Sequence, residues 1–488
     1  MTVSRRTLIG GSAAGMVAAS ANTGMAGDAF GQTTANPPAA EGDLAAIKAL
    51  IDAARTQAPE LGVLMARQLP GLARGGAASV HRPAQPPIAG TTTVPTTASG
   101  DVAAVWGQEF LFAVAAGQPA SLSIDWQPPV PMTRVAGTSY WFSLETLRLG
   151  TTHTYTLIAG GHEVGTGGVA AYNPDSYEQP GVPRGTLSER HTIHSRIYPG
   201  MSADTWVYAN PGLDTTRGAP VMVWQDGARY VGALDLVNYR LQVVTDNLVA
   251  KRLIPPMVHV LVAPGTGGEQ QVMRFDGDTQ ANEMRSLQYD TVSDRYGRYI
   301  QGEVLPQVER THKLRQDAYS RAAAGLSSGA ICAFNMAWFN PQSFSRVHSN
   351  IGSYTALQWH PQLHQDGGNL TADRVRREQR RNIRIWMSDG MNDLEADSHG
   401  RADLFGAGSW PLHNIALANA LKLRGYDFHF RFGEGTHSTA QGAMDLPESL
   451  AWLWRGYDPD RVEQEYEQEP AERAKPIFRV RVANRDAW

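Results

Sequence analysis

At 488 residues the chain is longer than one hydrophobic core usually serves, and about 150 residues per domain sets an expectation of roughly three domains. A hydrophobic fraction of 42%, with 12 Trp and 16 Tyr, excludes a broadly disordered or low-complexity chain, while 43 basic against 47 acidic residues, a net charge of −4, give no reason to expect nucleic-acid binding. A single cysteine cannot form an intrachain disulfide or a cysteine-rich metal site, so the chemistry is expected to run on hydroxyl, carboxylate and imidazole groups, with no metal or other cofactor.

The chain opens on Ser4-Arg5-Arg6-Thr7-Leu8-Ile9, followed by a charge-free run of small, weakly apolar residues from Gly10 to Ala21. This is the pattern of a twin-arginine (Tat) export signal over residues 1–26, cleaved after Ala21 or at Ala26, and it predicts a folded protein delivered to the periplasm or secreted. No other apolar stretch approaches the about 20 residues that span a bilayer, so no membrane insertion is expected. Within 40–70, Leu44, Ile47, Leu50 and Ile51, then Leu61, Leu64, Met65 and Leu69, recur at helical spacing and predict two short amphipathic helices. Gly, Ala, Pro and Thr dominate 71–100, which reads as a flexible linker.

From 101 to 170 the pattern changes to short runs rich in β-branched and aromatic residues: Val102 to Trp106, Glu109 to Val114, Ser121 to Trp126, Tyr140 to Leu144 and Thr152 to Ile158. Gly and Pro turns separate them at the interval of a small Ig-like β-sandwich. Trp126 and Trp141 either fill its core or stack on a sugar or aromatic ligand. Residues 171–190 read as a second linker. From 191 to 457 strand-like and helix-like segments alternate, the pattern of an α/β domain with a mainly parallel sheet. Val221–Trp224, Val258–Val262, Ile383–Met387 and Phe428–Phe432 are predicted strands, and Ser293–Val308 and Leu412–Leu423 are predicted helices. The charged stretch 458–488 reads as a surface tail.

Gly325-Leu326-Ser327-Ser328-Gly329 matches G-x-S-x-G, the turn that holds a nucleophilic serine between strand and helix. The small apolar run Ala322–Ala324 precedes it and a helix-like segment, Ala330–Trp338, follows, which is the context the motif needs. A serine hydroxyl is a weak nucleophile at neutral pH and requires a base, which in turn requires an orienting acid. Downstream, one predicted strand ends in Ser388-Asp389-Gly390-Met391-Asn392-Asp393 and the next in Gly433-Glu434-Gly435-Thr436-His437. Ser327 as nucleophile, His437 as base and Asp393 as acid, with Asp389 in reserve, follow the chain order of α/β-hydrolases. An oxyanion hole is expected from the backbone N–H of Ser328 and from Ala228 or Gly227, in the turn after Val221–Trp224. Cys332, on the helix after the nucleophile, is expected to pack.

These motifs resemble the putative-esterase family of α/β-hydrolases, which includes enterochelin (siderophore), feruloyl and acetylxylan esterases and mycolyltransferases. The resemblance covers about residues 190–456. It rests on Gln225-Asp226-Gly227, the turn at Ser327, Phe344-Ser345-Arg346-Val347 leading to Ser349-Asn350-Ile351-Gly352-Ser353-Tyr354, the Asn414–Leu421 helix, and Gly435-Thr436-His437 before Leu450-Ala451-Trp452-Leu453-Trp454. A looser likeness links Met132-Thr133-Arg134 and Gly137–Trp141 to the N-terminal domain of enterochelin esterases. Two departures stand out: Arg285-Ser286-Leu287-Gln288 replaces the family's R-x-x-E, and Ser438 follows the histidine where relatives carry Asp or Glu.

The resemblance implies a serine carboxylic ester hydrolase acting on a small-molecule or glycan-linked ester. An anionic siderophore would call for a basic rim, for which Arg229, Arg285 and Arg295 are candidates. An aromatic acyl group or sugar ring would call on Trp359 and Trp410, for either of which buried packing is the alternative. A carbohydrate or feruloyl esterase, an acyltransferase on the same triad, and a catalytically dead glycan-binding protein are the competing readings.

Overall fold

The computed structural model describes residues 41–69, 80–82, 100–106, 109–176, 178–179, 181–231, 239–268, 280–395 and 407–479. The expected export signal lies outside them, as does most of the expected linker 71–100. Helices Glu41–Thr56 and Leu61–Gln68 occupy the segment where two helices were expected. They are followed by a five-stranded sheet of β1 (Val80–Arg82), β2 (Gly100–Trp106), β3 (Glu109–Ala115), β6 (Thr133–Arg134) and β7 (Tyr140–Thr146), in the order β1-β2-β3-β7-β6. A four-stranded sheet, β5-β4-β8-β9, is built from β4 (Ala120–Ile124), β5 (Val130–Pro131), β8 (Thr151–Ala159) and β9 (His162–Ala171).

Along β8 every second residue, His153, Tyr155, Leu157 and Ala159, is buried, as a strand with one covered face requires. Tyr155 and Leu157 share an apolar cluster with Phe110 and Phe112 of β3 and with Leu50, Ile51, Leu61 and Met65 of the two helices, so both sheets and both helices close over one core. Trp141 packs against that cluster and donates its indole N–H to the Ala116 carbonyl at 3.0 Å, whereas Trp126 is 72% exposed.

The larger sheet has nine strands: β10 (Thr186–Leu187), β11 (His191–His194), β12 (Ser202–Ala209), β13 (Val221–Gln225), β14 (Val258–Val262), β15 (Arg321–Leu326), β16 (Arg346–Asn350), β17 (Arg384–Asn392) and β18 (Asp427–Thr436). The order is β10-β12-β14-β13-β15-β16-β17-β18, with β11 on β12. From β14 to β18 all neighbours are parallel, while β10, β11 and β14 run antiparallel to β12. Both faces are covered, so every residue of β13, β14, β15 and β16 is buried, the polar Arg346, His348, Ser349 and Asn350 of β16 included, and strand alternation assigns neighbours to opposite layers. Val221 and Val223 join helix Ser328–Phe339 and helix Trp410–Leu423 on one side. Met222 and Trp224 join helix Leu241–Ala250 and helix Ala440–Leu453 on the other.

Two segments differ from the sequence expectation. In the expected linker 171–190, Asp175 and Ser176 are buried; their carbonyls accept from Asn247 and Arg240, and the Arg240 guanidinium lies 3.8 Å from the Tyr172 ring centroid. The stretch expected as a surface tail is anchored by aromatic residues that its charged composition concealed. Tyr466 is 1% exposed and faces the Arg346 guanidinium, which is also surrounded by Tyr319, Trp454 and Tyr457 at 4.5–5.5 Å from the ring centroids. Farther on, the Phe478 ring stands 5.0 Å from that of Phe430.

The N-terminal sheets reach the catalytic half through helix Ala440–Leu453. Thr151 and Thr152 hydroxyls donate to Gln441 Oε1 at 3.4 and 3.3 Å, and Arg431 donates to the Gly150 carbonyl at 3.2 Å. Beneath this contact Asp445 is fully buried with neither carboxyl oxygen hydrogen-bonded among the described residues, and burial pushes its carboxyl up to about 8 despite the Arg431 charge at 3.6 Å. The folded chain therefore keeps a proton that the unfolded chain loses near 3.8. This group's contribution is complete below that value and declines by about 1.4 kcal/mol per unit as pH rises toward the folded value. Asp445→Asn cannot ionise and is expected to have a flatter Tm between pH 5 and 8 than the wild type; parallel Tm profiles would show that Asp445 is not a buried neutral acid.

Candidate active site

The site lies at the carboxyl ends of β13, β15, β16, β17 and β18. At the end of β15, Ser327 adopts φ 57° and ψ −124°, a conformation costly for a residue with a Cβ, and helix Ser328–Phe339 starts at the next residue. The turn closes because its flanks are glycine: a Cβ on Gly325 would lie 2.3 Å from the Gly329 carbonyl group. A Cβ on Gly329 would approach Gln225 and the Asp226 carboxylate at the end of β13, at 3.1 and 3.3 Å.

The half-buried Ser327 Oγ is 2.8 Å from His437 Nε2, and His437 Nδ1 is 2.5 Å from Asp393 Oδ1. Asp393 also accepts the Leu394 N–H at 2.6 Å and its side chain is fully buried. An ionised carboxylate only accepts, so Nδ1 carries the imidazole proton and Nε2 is left to accept from the serine. The structure thus brings together the three residues chosen from the sequence and separates Asp393 from its reserve. Asp389 is buried beside Asp393; burial first, and then the neighbouring Asp393 carboxylate, hold its carboxyl well above the usual carboxylate range.

Two further groups touch this line. Trp410 is buried with its ring edge-on to His437 at 5.9 Å, and its indole N–H donates to Ser353 Oγ at 3.0 Å. Ser353, 1% exposed, has its Oγ 3.2 Å from Ser327 Oγ and donates its backbone N–H to the Ser327 carbonyl at 3.1 Å. Ser353 carried no role in the sequence reading. The available signal was its place just past β16, the neighbour of the nucleophile strand.

Opposite the turn, Asp226 ends β13 at φ 61° and opens a tight turn, Gly227–Tyr230, that contains Gly227 and Ala228. Only glycine fits at 227, where a Cβ would lie 2.1 Å from the Val262 nitrogen. Ser328 is the first residue of its helix, so its N–H has no acceptor within that helix. Nearby, the buried Asp290 accepts the Ser286 hydroxyl at 2.8 Å, and burial pushes its carboxyl up to about 6 against the Arg285 charge. Arg285 corrects one expectation: instead of facing substrate, it grips Asp226 with two 2.7 Å hydrogen bonds. Burial alone would raise the Asp226 carboxyl, but Arg285 outweighs it and holds the group below the usual carboxylate range. Arg295 corrects a second, because its guanidinium is bound to the Ile197 carbonyl and lies 4.2 Å from the Tyr198 ring centroid. Arg229 is half-buried and has no hydrogen-bond partner for its guanidinium among the described residues. Trp359 is 41% exposed, on the loop that begins at Ser353. Cys332 is buried in the core cluster behind the turn.

Among the described residues no group of three His, Cys, Asp or Glu side chains could hold a metal ion, and no helix is long and apolar enough to cross a membrane. The family described as "Putative esterase" matches residues 203–453. No curated protein matches the chain. Among solved structures, the chain is similar to the enterobactin esterase of Shigella flexneri, at 17% identity over 74% of this chain and 97% of that one, with a TM-score of 0.45. It is also similar to the ferric enterobactin esterase of Salmonella typhimurium, at 18% identity over 74% and 97% with a TM-score of 0.45. A ferulic acid esterase from the anaerobic fungus Anaeromyces mucronatus is 15% identical over 58% and 96%, with a TM-score of 0.41. The family match runs from β12 through helix Ala440–Leu453, more than half of the chain, and the chain therefore belongs to this esterase family of carboxylic ester hydrolases.

Proposed function

We propose that the protein is a serine esterase working through an acyl-enzyme. Ser327 Oγ attacks the ester carbonyl while His437 Nε2 takes its proton, Asp393 steadies the imidazolium, and the N–H groups of Ser328 and of Gly227 or Ala228 receive the oxyanion. His437 then returns the proton to the departing alcohol, and water repeats the sequence to free the acid. The observation that carries this reading is the unbroken hydrogen-bonded line from Ser327 through His437 to Asp393.

The substrate is an ester with an apolar or aromatic acyl group in preference to a large polyanion. Two of the three arginines proposed for a basic rim are engaged internally, and Trp359 on the loop after β16, Met391 at the end of β17 and Leu412 in the first turn of helix Trp410–Leu423 are exposed. The two N-terminal sheets form a β-sandwich domain over about 101–170, and the twin-arginine opening directs the folded protein out of the cytoplasm. A fluorophosphonate probe is expected to label folded protein at Ser327 alone, and prior labelling to abolish turnover of p-nitrophenyl and feruloyl esters. Full turnover after stoichiometric labelling would refute the mechanism, and faster turnover of a catecholate siderophore than of the feruloyl ester would refute the substrate class.

A further inference from the structure

Direction can be assigned to every hydrogen bond around Ser327. At one end stands the Trp410 indole, which only donates; at the other stands Asp393, which as a carboxylate only accepts. Trp410 gives its N–H to Ser353 Oγ, so the Ser353 hydroxyl proton is free to point elsewhere, and Ser327 Oγ at 3.2 Å is its acceptor. Ser327 cannot return the bond, because its own proton is directed to His437 Nε2 at 2.8 Å. The chain Trp410, Ser353, Ser327, His437, Asp393 therefore runs one way, each member donating to the next. The Ser327–Ser353 separation is long for paired hydroxyls, as contacts in a resting site commonly are before charge develops on the acceptor.

We propose that Ser353 is a further catalytic residue, oriented by Trp410, whose hydroxyl donates to Ser327 Oγ and stabilises the negative charge that this oxygen carries when the acyl-enzyme forms and when it breaks. The proposal rests on Ser327 being the nucleophile. In acylation the Ser327 proton passes to His437 Nε2 as the Oγ–carbon bond forms, and the Ser353 bond shortens onto an oxygen gaining charge. In deacylation a water loses its proton to His437 and adds to the carbonyl carbon. The carbon–Oγ bond then breaks, the bonding pair stays on Oγ, and His437 gives it the proton. Ser353 transfers no proton at either stage. Its fixed donor makes Oγ a better leaving group, so the larger effect falls on deacylation. Trp410, for which the sequence left open contact with an aromatic acyl group or sugar ring and buried packing, becomes a positioning residue.

The test follows the burst and the steady phase of p-nitrophenyl acetate hydrolysis. Ser353→Ala is expected to lower the steady rate about 10- to 100-fold, with KM within about twofold of wild type once corrected for the change in the two rate constants. Ser353→Thr keeps the hydroxyl and is expected to recover most of the loss. Trp410→Phe keeps the ring beside His437 but removes the donor, and is expected to cost about 3- to 10-fold in wild type and nothing further in the Ser353→Ala background. A packing role predicts the opposite pattern: the bulkier threonine would do worse than alanine, and the Trp410 and Ser353 losses would multiply. Either result overturns the proposal, as does an unchanged steady rate in Ser353→Ala. Ser327→Ala measured alongside separates the two readings. If it retains turnover, the nucleophile and Ser353 fall together; if it is inactive while Ser353→Ala is unimpaired, Ser353 alone falls.

Discussion

Ser327→Ala is expected to lower kcat for a p-nitrophenyl ester by about 10⁴- to 10⁶-fold, the range that follows loss of the nucleophile from a serine triad, and to leave only what the oxyanion donors supply. Alanine has the same backbone preferences as serine, so it inherits the strained φ of 57° and ψ of −124°, and its Tm should stay close to wild type. Ser327→Gly is the informative companion. Glycine occupies that region without steric penalty, so the variant should be equally inactive yet more stable, recovering part of the about 1–3 kcal/mol such a conformation costs. An inactive alanine variant beside a stabilised glycine variant would show that the backbone at 327 is held in place for the reaction. Retention of more than about 1% of wild-type kcat in Ser327→Ala would remove the serine from the mechanism.

The second large effect is expected at Asp226. Its carboxylate is 2% exposed and bound through both oxygens by Arg285, itself partly buried with its guanidinium 5.4 Å from the Tyr289 ring centroid. Asp226→Ala leaves that cation without its partner and should cost about 3–5 kcal/mol, read as a fall in the urea midpoint. Arg285→Met should cost a comparable amount by stranding the carboxylate, while Asp226→Leu with Arg285→Met should recover much of either loss, because neither charge then remains. Because the folded carboxyl lies below its usual range, the pair's contribution is present above the unfolded value of 3.8 and is lost as pH falls through the folded one. A urea midpoint for Asp226→Ala equal to that of wild type would show that the pair does not hold the turn that offers Gly227 and Ala228.

What could be read from the sequence was local and ordered. Ala322–Ala324 running into Gly325 identifies β15 because only small residues let a strand turn so sharply into a helix, and the order Ser327, Asp393, His437 follows from strand ends. Asp389 is still inside β17 and buried, whereas Asp393 stands beyond the strand with its Oδ1 2.5 Å from His437 Nδ1. Side chains whose partners lie far along the chain could not be read. Arg285 and Asp226 are 59 positions apart, and a surface-prone arginine looks the same in sequence whether it meets substrate or a buried acid. Ser353 is 26 positions from Ser327 and 57 from Trp410, and has meaning only where β15 and β16 lie side by side. Helix Ala440–Leu453 is continuous but contains Pro447, a residue that in a sequence argues against a helix, and in the segment after Asp458 charge outnumbers the aromatic residues that anchor it.

The contact of Thr151 and Thr152 with Gln441 joins residues 290 and 289 positions apart, at the start of the helix that follows the His437 loop. The N-terminal sheets are synthesised early and wait for that helix, whose partners in them are reached only after nearly the whole chain exists. Closing so long a loop costs little more entropy than closing a short one, so the contact is not disfavoured by its sequence separation. A growing chain that has not yet reached residue 437 therefore carries Ser327 without the imidazole that its hydroxyl meets in the folded protein.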